Sequence, residues 1–366
     1  MPESKTSVSS RIEYIDIARG IGILLVVLGH NDFSLVSPFA YQVIYSFHMP
    51  LFFFLSGYFI NTSSSFLAFT VKRFHSLLKP YLFTIFLIYA GSISFGRIGF
   101  QNALGRIIKS LYASGIYIDW VQLWFLPHLF VTALYAFIFL KLFERGEGRL
   151  LKWLALIATL GLSSITLPRF YPFSLMVFGK EYILYGLPCS LDLVFLSGFF
   201  YILGGEIRQL IPDQAFEKLW AFLGSGAALL LLNYFFSQRI DFNTRTYDSY
   251  LINTTEAVIG ILFILALSRQ IAMRVKKLAS LFTYFGRISL IILIFHVPIQ
   301  EIWGQKILTS TNNPILAIWS GFFMGVAVSV LIYELFIKAN PVASWWFGRK
   351  AEGMERKDAA IDNQNG

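Results

Sequence analysis

The sequence predicts an all-α membrane protein, a bundle of about ten transmembrane helices. Of its 366 residues, 56% are hydrophobic and only 14% are charged, whereas a soluble domain usually carries about a quarter charged residues. The apolar residues form continuous runs such as YLFTIFLIY and LFVTALYAFIFL. Helices that are apolar on all sides need lipid or other helices around them, so these runs indicate membrane spans.

The apolar runs place the spans and divide the chain. The predicted spans are 14–34, 42–61, 79–96, 121–141, 151–168, 182–204, 218–236, 250–268, 281–301 and 314–337. A transmembrane domain over 11–338 is therefore expected between a cytoplasmic tail over 1–10 and a short, polar, unstructured cytoplasmic tail over 339–366. Between the third and fourth spans, RIGFQNALGRIIKSLYASG predicts an amphipathic helix at the outer interface.

Lysine and arginine are distributed unevenly between the two sides. With the N-terminus in the cytoplasm, 20 of them fall in cytoplasmic segments and 8 in outer loops, as the positive-inside rule requires. The net charge of +9 then describes the cytoplasmic face and needs no nucleic-acid partner. We expect a multi-pass protein of the cytoplasmic membrane, surrounded by the lipid bilayer, with both termini in the cytoplasm.

The first span carries three polar side chains that are costly inside a bilayer. Asp16 and Arg19 are one turn apart, and His30 follows Arg19 by eleven residues, close to three full turns. All three therefore share one face, although about 16 Å of helix rise separates Arg19 from His30. We regard them as candidate catalytic residues. The alternative is that Asp16 and Arg19 anchor the helix end and that His30 is a hydrogen-bonded core residue.

A basic segment, KRFHSLLKPY, follows the second span on the cytoplasmic side. Lys72, Arg73 and Lys79 lie close together in it. Topological anchoring explains these charges adequately. The alternative is a phosphate-binding role, because clustered lysine and arginine side chains bind phosphate oxygens.

Four histidines fall in the outer half of the predicted membrane. They are His30, His48, His128 and His296, and the last three are candidate substrate-binding residues. No two of them have the local spacing of a zinc motif, and the single Cys189 excludes a cysteine cluster, so no metal site is predicted.

These residues together resemble a known family, the membrane-bound acyltransferase 3 family. The first-helix pattern has Arg11, Asp16, Arg19-Gly20 and His30. The later matching segments are FHMPLFFFLSGYF, Lys72-Arg73, Lys79-Pro80, WFLPHLF, LGGEIR and YFGRISLIILIFH. The last three resemble the branch of fucose-acetylase-like and nodulation-type O-acetyltransferases. The resemblance runs from about Arg11 to Phe336.

The resemblance implies an activity and a location. Such proteins move acetyl from cytoplasmic acetyl-CoA to a hydroxyl of a cell-surface or lipid-linked sugar in the bacterial inner membrane, without a tightly bound cofactor. The histidine that matches His30 is regarded as catalytic and the arginine that matches Arg19 as essential. Asp16 would orient Arg19, and the basic segment would bind the donor.

Two other classes of function stay open at this level. A secondary transporter or a flippase for a lipid-linked sugar also has many spans and intramembrane charges, and a non-catalytic subunit of a polysaccharide machine is a third class. For the acyltransferase, we expect a continuous polar tunnel along the first helix, from Arg19 and Lys72 to an outer cavity at His30 and His48.

Overall fold

The computed structural model describes residues 12–144, 148–236 and 238–348, and helices make up most of them. Arg11, the predicted tail over 1–10 and residues 349–366 of the other tail lie outside the described residues. The α-helices are α1 (Glu13–Gly29), α2 (Pro38–Tyr45), α3 (His48–Gly57), α4 (Phe66–Arg73), α5 (Lys79–Ser94), α6 (Phe100–Tyr112), α7 (Phe125–Leu142), α8 (Arg149–Arg169), α9 (Val194–Leu210), α10 (Leu219–Phe236), α11 (Tyr250–Arg274), α12 (Lys276–Arg287), α13 (Ser289–Thr311), α14 (Pro314–Ile332) and α15 (Pro341–Trp346).

The all-α membrane class is confirmed, but the count of about ten spans is not. Among the described residues, seven helical stretches are long and apolar enough to cross a membrane, or eight if the bent pair α12–α13 is one span. They match the last eight predicted spans. The first two predicted spans correspond to shorter helices. The first is α1, which has 17 residues, and a break before His48 divides the second into α2 and α3. A full span needs about 20 apolar residues.

The predicted helix over 182–204 is wrong at its start. Strand β1 (Phe173–Val177) pairs antiparallel with strand β2 (Lys180–Leu184), and α9 begins only at Val194. Phe178 and Gly179 between the strands both have positive φ, 49° and 75°. Two consecutive positive φ angles are typical of a tight hairpin turn. The segment therefore forms a hairpin, although its apolar residues predicted a helix.

Helix α1 lies in the middle of the bundle, where Tyr14, Ile15 and Ile17 are fully buried. It crosses α12 at Gly20 and Gly286. A side chain at Gly20 would collide with the Phe282 carbonyl, and one at Gly286 would collide with the Asp16 carbonyl. Small residues allow such close helix contact, and this crossing fixes where α1 presents its polar residues.

The hydrophilic loop after α10 is tied to the bundle by a buried ion pair. The Arg245 guanidinium donates two hydrogen bonds to Asp192, with Nε–Oδ2 at 2.8 Å and Nη2–Oδ1 at 3.1 Å. Both side chains are almost fully buried, and the guanidinium also covers the Tyr171 ring at 4.6 Å. The two buried charges therefore neutralise each other within the fold.

Two more elements complete the bundle. The predicted amphipathic helix is α6, whose exposed face carries Phe100, Leu104 and Ile108. After Lys338, α15 packs onto α5, with the Trp346 ring stacked on Phe83 at 4.8 Å and Phe347 buried. The start of the tail over 339–366 is therefore part of the fold, because Trp346 and Phe347 pack against the bundle.

Candidate active site

The Asp16–Arg19 pair lies where α1 meets the C-terminal end of α3. Arg19 Nη1 is 3.4 Å from Asp16 Oδ1, and Arg19 Nη2 donates to the Leu55 carbonyl at 3.2 Å. A cation is favourable at a helix C-terminus, where carbonyl groups lack partners. Arg19 thus has a structural role at α3, while 30% of its side chain is still exposed.

Two more arginines surround the same helix end. Arg208 donates to the Tyr58 carbonyl at 3.3 Å, and the Arg208 and Arg19 guanidinium carbons lie 4.9 and 5.5 Å from the centre of the Phe59 ring. Arg19 and Arg73 are both within electrostatic reach of the Tyr201 hydroxyl.

We call Arg19, Arg73 and Arg208 the arginine cluster. Two buried polar atoms here have no hydrogen-bond partner in the described chain, Arg73 Nε of the cluster and Tyr201 Oη on α9. A buried donor without a partner is costly. The cluster therefore offers unused hydrogen-bonding capacity and positive charge to an anion.

The other two basic candidates differ from Arg73. Lys72 is exposed next to the cluster. Lys79 is only 6% exposed, and its ammonium lies 3.8 Å from the centre of the Trp345 ring. This cation–π contact occupies Lys79, so its predicted contact with the donor would require Trp345 to move.

Three of the four candidate histidines assemble around the end of α1. The His30 and His296 rings have centroids 5.5 Å apart. The His48 ring lies 4.6 Å from the Tyr45 ring, and the Tyr45 hydroxyl donates to the Gly29 carbonyl at 3.1 Å. We call His30, His48 and His296 the histidine cluster. On sequence grounds only His30 and His48 were expected at one outer cavity, and the structure places His296 beside His30 as well.

The ring nitrogens of this cluster are partly unused. Neither ring nitrogen of His30 has a hydrogen-bond partner among the described residues, and the side chain is exposed. Nδ1 of the fully buried His296 is 2.7 Å from the Ile292 carbonyl, and its Nε2 is buried without a partner. Because a carbonyl can only accept, His296 Nδ1 carries the proton, and Nε2 of the neutral ring is an acceptor.

His128 has a different environment. Its Nδ1 lies 3.1 Å from the Cys189 carbonyl, and its Nε2 lies 3.0 Å from Ser197 Oγ. Thr132 completes the network with a 2.9 Å bond between its hydroxyl and that of Ser197. Both ring nitrogens are satisfied within the core. These contacts hold His128 in the core and do not bring it to the histidine cluster, and its predicted substrate-binding role stays a prediction.

A cavity of about 170 Å³ lies beside His30. Its polar lining comes from the loop after α1 and from α13, and its apolar lining comes mainly from α14. The polar lining residues are His30, Asn31, Asp32, Gln300, Glu301 and Gln305. The Gln300 amide donates to the His30 carbonyl at 2.8 Å, and so fixes α13 against the end of α1.

The face of α1 between the two clusters is apolar. Ile23, four residues after Arg19, and Val26, four residues before His30, are 1% and 4% exposed. They pack with Val27, Ile288 and Ile292, a group that we call the apolar cluster. The expected continuous polar tunnel is therefore wrong for this face in the described conformation, because branched apolar side chains fill it.

The sequence did not single out several residues of these sites. Gln300 is one helical turn after His296, and an amide that directly follows the long apolar run of α13 was a usable signal. Tyr201 and Tyr45 had no such signal, because tyrosine is common in apolar segments and their positions depend on tertiary packing. Arg208 was counted only as a cytoplasmic charge.

Comparison with known proteins identifies the family of the chain. The apolar helices define a multi-pass membrane protein, and a family model described as an acyltransferase domain matches residues 12–334. The chain belongs to the acyltransferase 3 family and is a membrane acyltransferase, which favours that class over the transporter. No curated protein and no solved structure matches the chain, so the fucose-acetylase-like branch stays a prediction.

Proposed function

We propose that this protein is an O-acetyltransferase of the bacterial inner membrane, with acetyl-CoA as donor and a cell-surface or lipid-linked sugar as acceptor. The observation that carries the proposal is the exposed His30 ring, with no hydrogen-bond partner in the described chain, beside a cavity lined by amide and carboxylate groups. Sugar hydroxyls form hydrogen bonds with such groups.

His30 is the general base of this reaction. Neutral imidazole removes the proton of the acceptor hydroxyl while the oxygen forms a bond to the carbonyl carbon of the acetyl thioester. The carbon–sulfur bond then breaks, and the imidazolium returns the proton to the sulfur of CoA. The unpaired Nε2 of His296 lies beside this ring and is an acceptor for a hydroxyl proton or for protonated His30.

The arginine cluster binds the donor in this proposal. CoA carries several phosphate groups, and arginine pairs well with phosphate. Arg73 has an unpaired buried Nε, and Arg19 keeps part of its surface exposed. Lys72 adds a further exposed charge nearby. This end of the protein is cytoplasmic in the orientation that the lysine and arginine distribution favours.

The donor site at Arg19 and the acceptor site at His30 must be connected for acetyl transfer to occur. About 16 Å of helix rise separates Arg19 from His30, and the apolar cluster fills the face between them. Ile288, between α12 and α13, belongs to this cluster and lies at the point where these helices bend by 79°. In this proposal, movement at the bend opens the cluster and admits the acyl-pantetheine arm to His30.

The proposal is tested with purified protein in lipid nanodiscs. Acetyl-CoA and a set of methyl glycosides are supplied, and free CoA and acetylated glycoside are quantified by chromatography. We expect CoA and acetyl ester to form in equal amounts. Absence of both products with every glycoside, together with unchanged O-acetylation of surface glycans in cells lacking the protein, would contradict the proposal.

A further inference from the structure

The cavity beside His30 has an unusual balance of hydrogen-bonding groups. Its two charged lining residues are the carboxylates Asp32 and Glu301, and no lysine or arginine of the described residues lines it. The Asn31 amide nitrogen is already used, since it donates to the Ile318 carbonyl at 2.6 Å. The groups left for a ligand are therefore mostly acceptors.

Gln300 independently indicates that a ligand binds here. It is 2% exposed and lines the cavity. Its amide nitrogen is fixed on the His30 carbonyl, while its Oε1 is buried without a partner in the described chain. Nε2 of His296, beside His30, is a second buried acceptor without a partner. Of these two atoms only Gln300 Oε1 belongs to a residue that lines the cavity, and it lacks a hydrogen-bond donor, which a bound ligand would supply.

The arginine cluster and the cavity beside His30 have opposite charge. The arginine cluster offers cations and unused donors, which suit a phosphorylated donor substrate. The cavity offers carboxylates and unused acceptors, which repel an anion and attract a hydroxyl or an ammonium group.

We infer that the cavity selects an acceptor rich in hydrogen-bond donors and without negative charge near the reacting hydroxyl, such as a neutral hexose or an amino sugar. Uronic acids and phosphorylated sugars are excluded by Asp32 and Glu301. This inference rests on the proposed function, because it names the acceptor class of the same site.

The test compares two acceptors with the same sugar ring, a methyl hexoside and the corresponding methyl hexuronide, in which a charged carboxylate replaces the hydroxymethyl group at C6. We expect kcat/KM for the hexoside to exceed that for the hexuronide by about tenfold or more. In the double variant Asp32→Asn/Glu301→Gln this ratio should fall to within about threefold, because the amides keep the shape and remove the charge. Asp32 has φ of 43°, which asparagine tolerates.

Asp248→Asn is the matched control, an exposed acidic residue outside the cavity lining, and it should keep the wild-type ratio. Equal use of both acceptors by the wild type, or an unchanged ratio in the double variant, overturns the inference. If neither acceptor is acetylated, thermal stabilisation by each glycoside decides the inference, while the full set of glycosides and the O-acetylation of surface glycans in cells test the proposed function separately. Thermal stabilisation of the wild type by the hexoside alone supports the inference. Equal stabilisation by both glycosides, or stabilisation by neither, contradicts it.

Discussion

The imidazole rings of His30 and His296 lie with their centroids 5.5 Å apart, although 266 positions separate them in the chain. Gln300, one turn after His296, holds the two helices together through its bond to the His30 carbonyl. One ring is exposed and the other is buried with a free acceptor nitrogen. This pairing of an exposed and a buried imidazole is the basis of the proposed chemistry.

His296→Leu should lower kcat by about tenfold or more, since it removes the acceptor nitrogen beside His30. The KM for acetyl-CoA should change little, because the arginine cluster is untouched. His296→Gln, which restores a polar group, should recover part of the loss. Kinetics on the purified variants decide the matter, and a wild-type kcat in His296→Leu would exclude a role for this ring.

Arg73→Ala should raise the KM for acetyl-CoA by about tenfold, because a hydrogen bond to a charged group contributes about 1.5–3 kcal/mol. The KM for the acceptor should stay near the wild-type value. Arg274→Ala removes an exposed arginine from the end of α11 and is the matched control. If Arg73 serves only as a topological anchor, its variant will show altered membrane insertion with unchanged KM.

Asp192→Asn should destabilise the protein by about 3–5 kcal/mol, since it leaves Arg245 buried without its countercharge. The double variant Asp192→Asn/Arg245→Gln should lose less stability than the sum of the two single variants. Lys141→Ala breaks an exposed pair with Glu144 and should cost at most about 1 kcal/mol. If denaturant unfolding shows that the double variant loses as much stability as the two single variants together, the two charges do not interact.

The proposed sidedness can be measured directly. The chain has one cysteine, so a Cys189→Ser background accepts single reporter cysteines. Lys109→Cys, on α6, should react with a membrane-impermeant maleimide in intact cells, and Arg274→Cys should react only after permeabilisation. The opposite labelling pattern would reverse the orientation and place the arginine cluster outside the cytoplasm.

The fold class and the polar positions were predictable because charges in apolar runs are costly and therefore conspicuous. Asp16 and Arg19 pair across one turn of α1, as the helical period predicts, and His30 follows directly after the last residue of the helix. What lies between them was not predictable, because Ile23 and Val26 fill that face only through packing against Ile288 and Ile292 of the bent α12–α13 pair.

The tertiary partners of single residues could not be predicted from the sequence either. Nothing local to His128 indicated that Ser197 and the Cys189 carbonyl would satisfy it. The Lys79–Trp345 contact joins residues far apart in the chain. The hairpin at Phe178-Gly179 was hidden for another reason, since its strands are as apolar as the helix that follows them.

The most direct measurement of the central claim is single-turnover acetyl transfer by His30→Ala in lipid nanodiscs. Removal of the general base should lower the rate of acetyl ester formation by about 10²–10⁴-fold, with the binding of acetyl-CoA and the yield of folded protein unchanged. His75→Ala, which removes an exposed histidine outside the histidine cluster, should keep the wild-type rate. Wild-type acetyl transfer by folded His30→Ala would contradict the account.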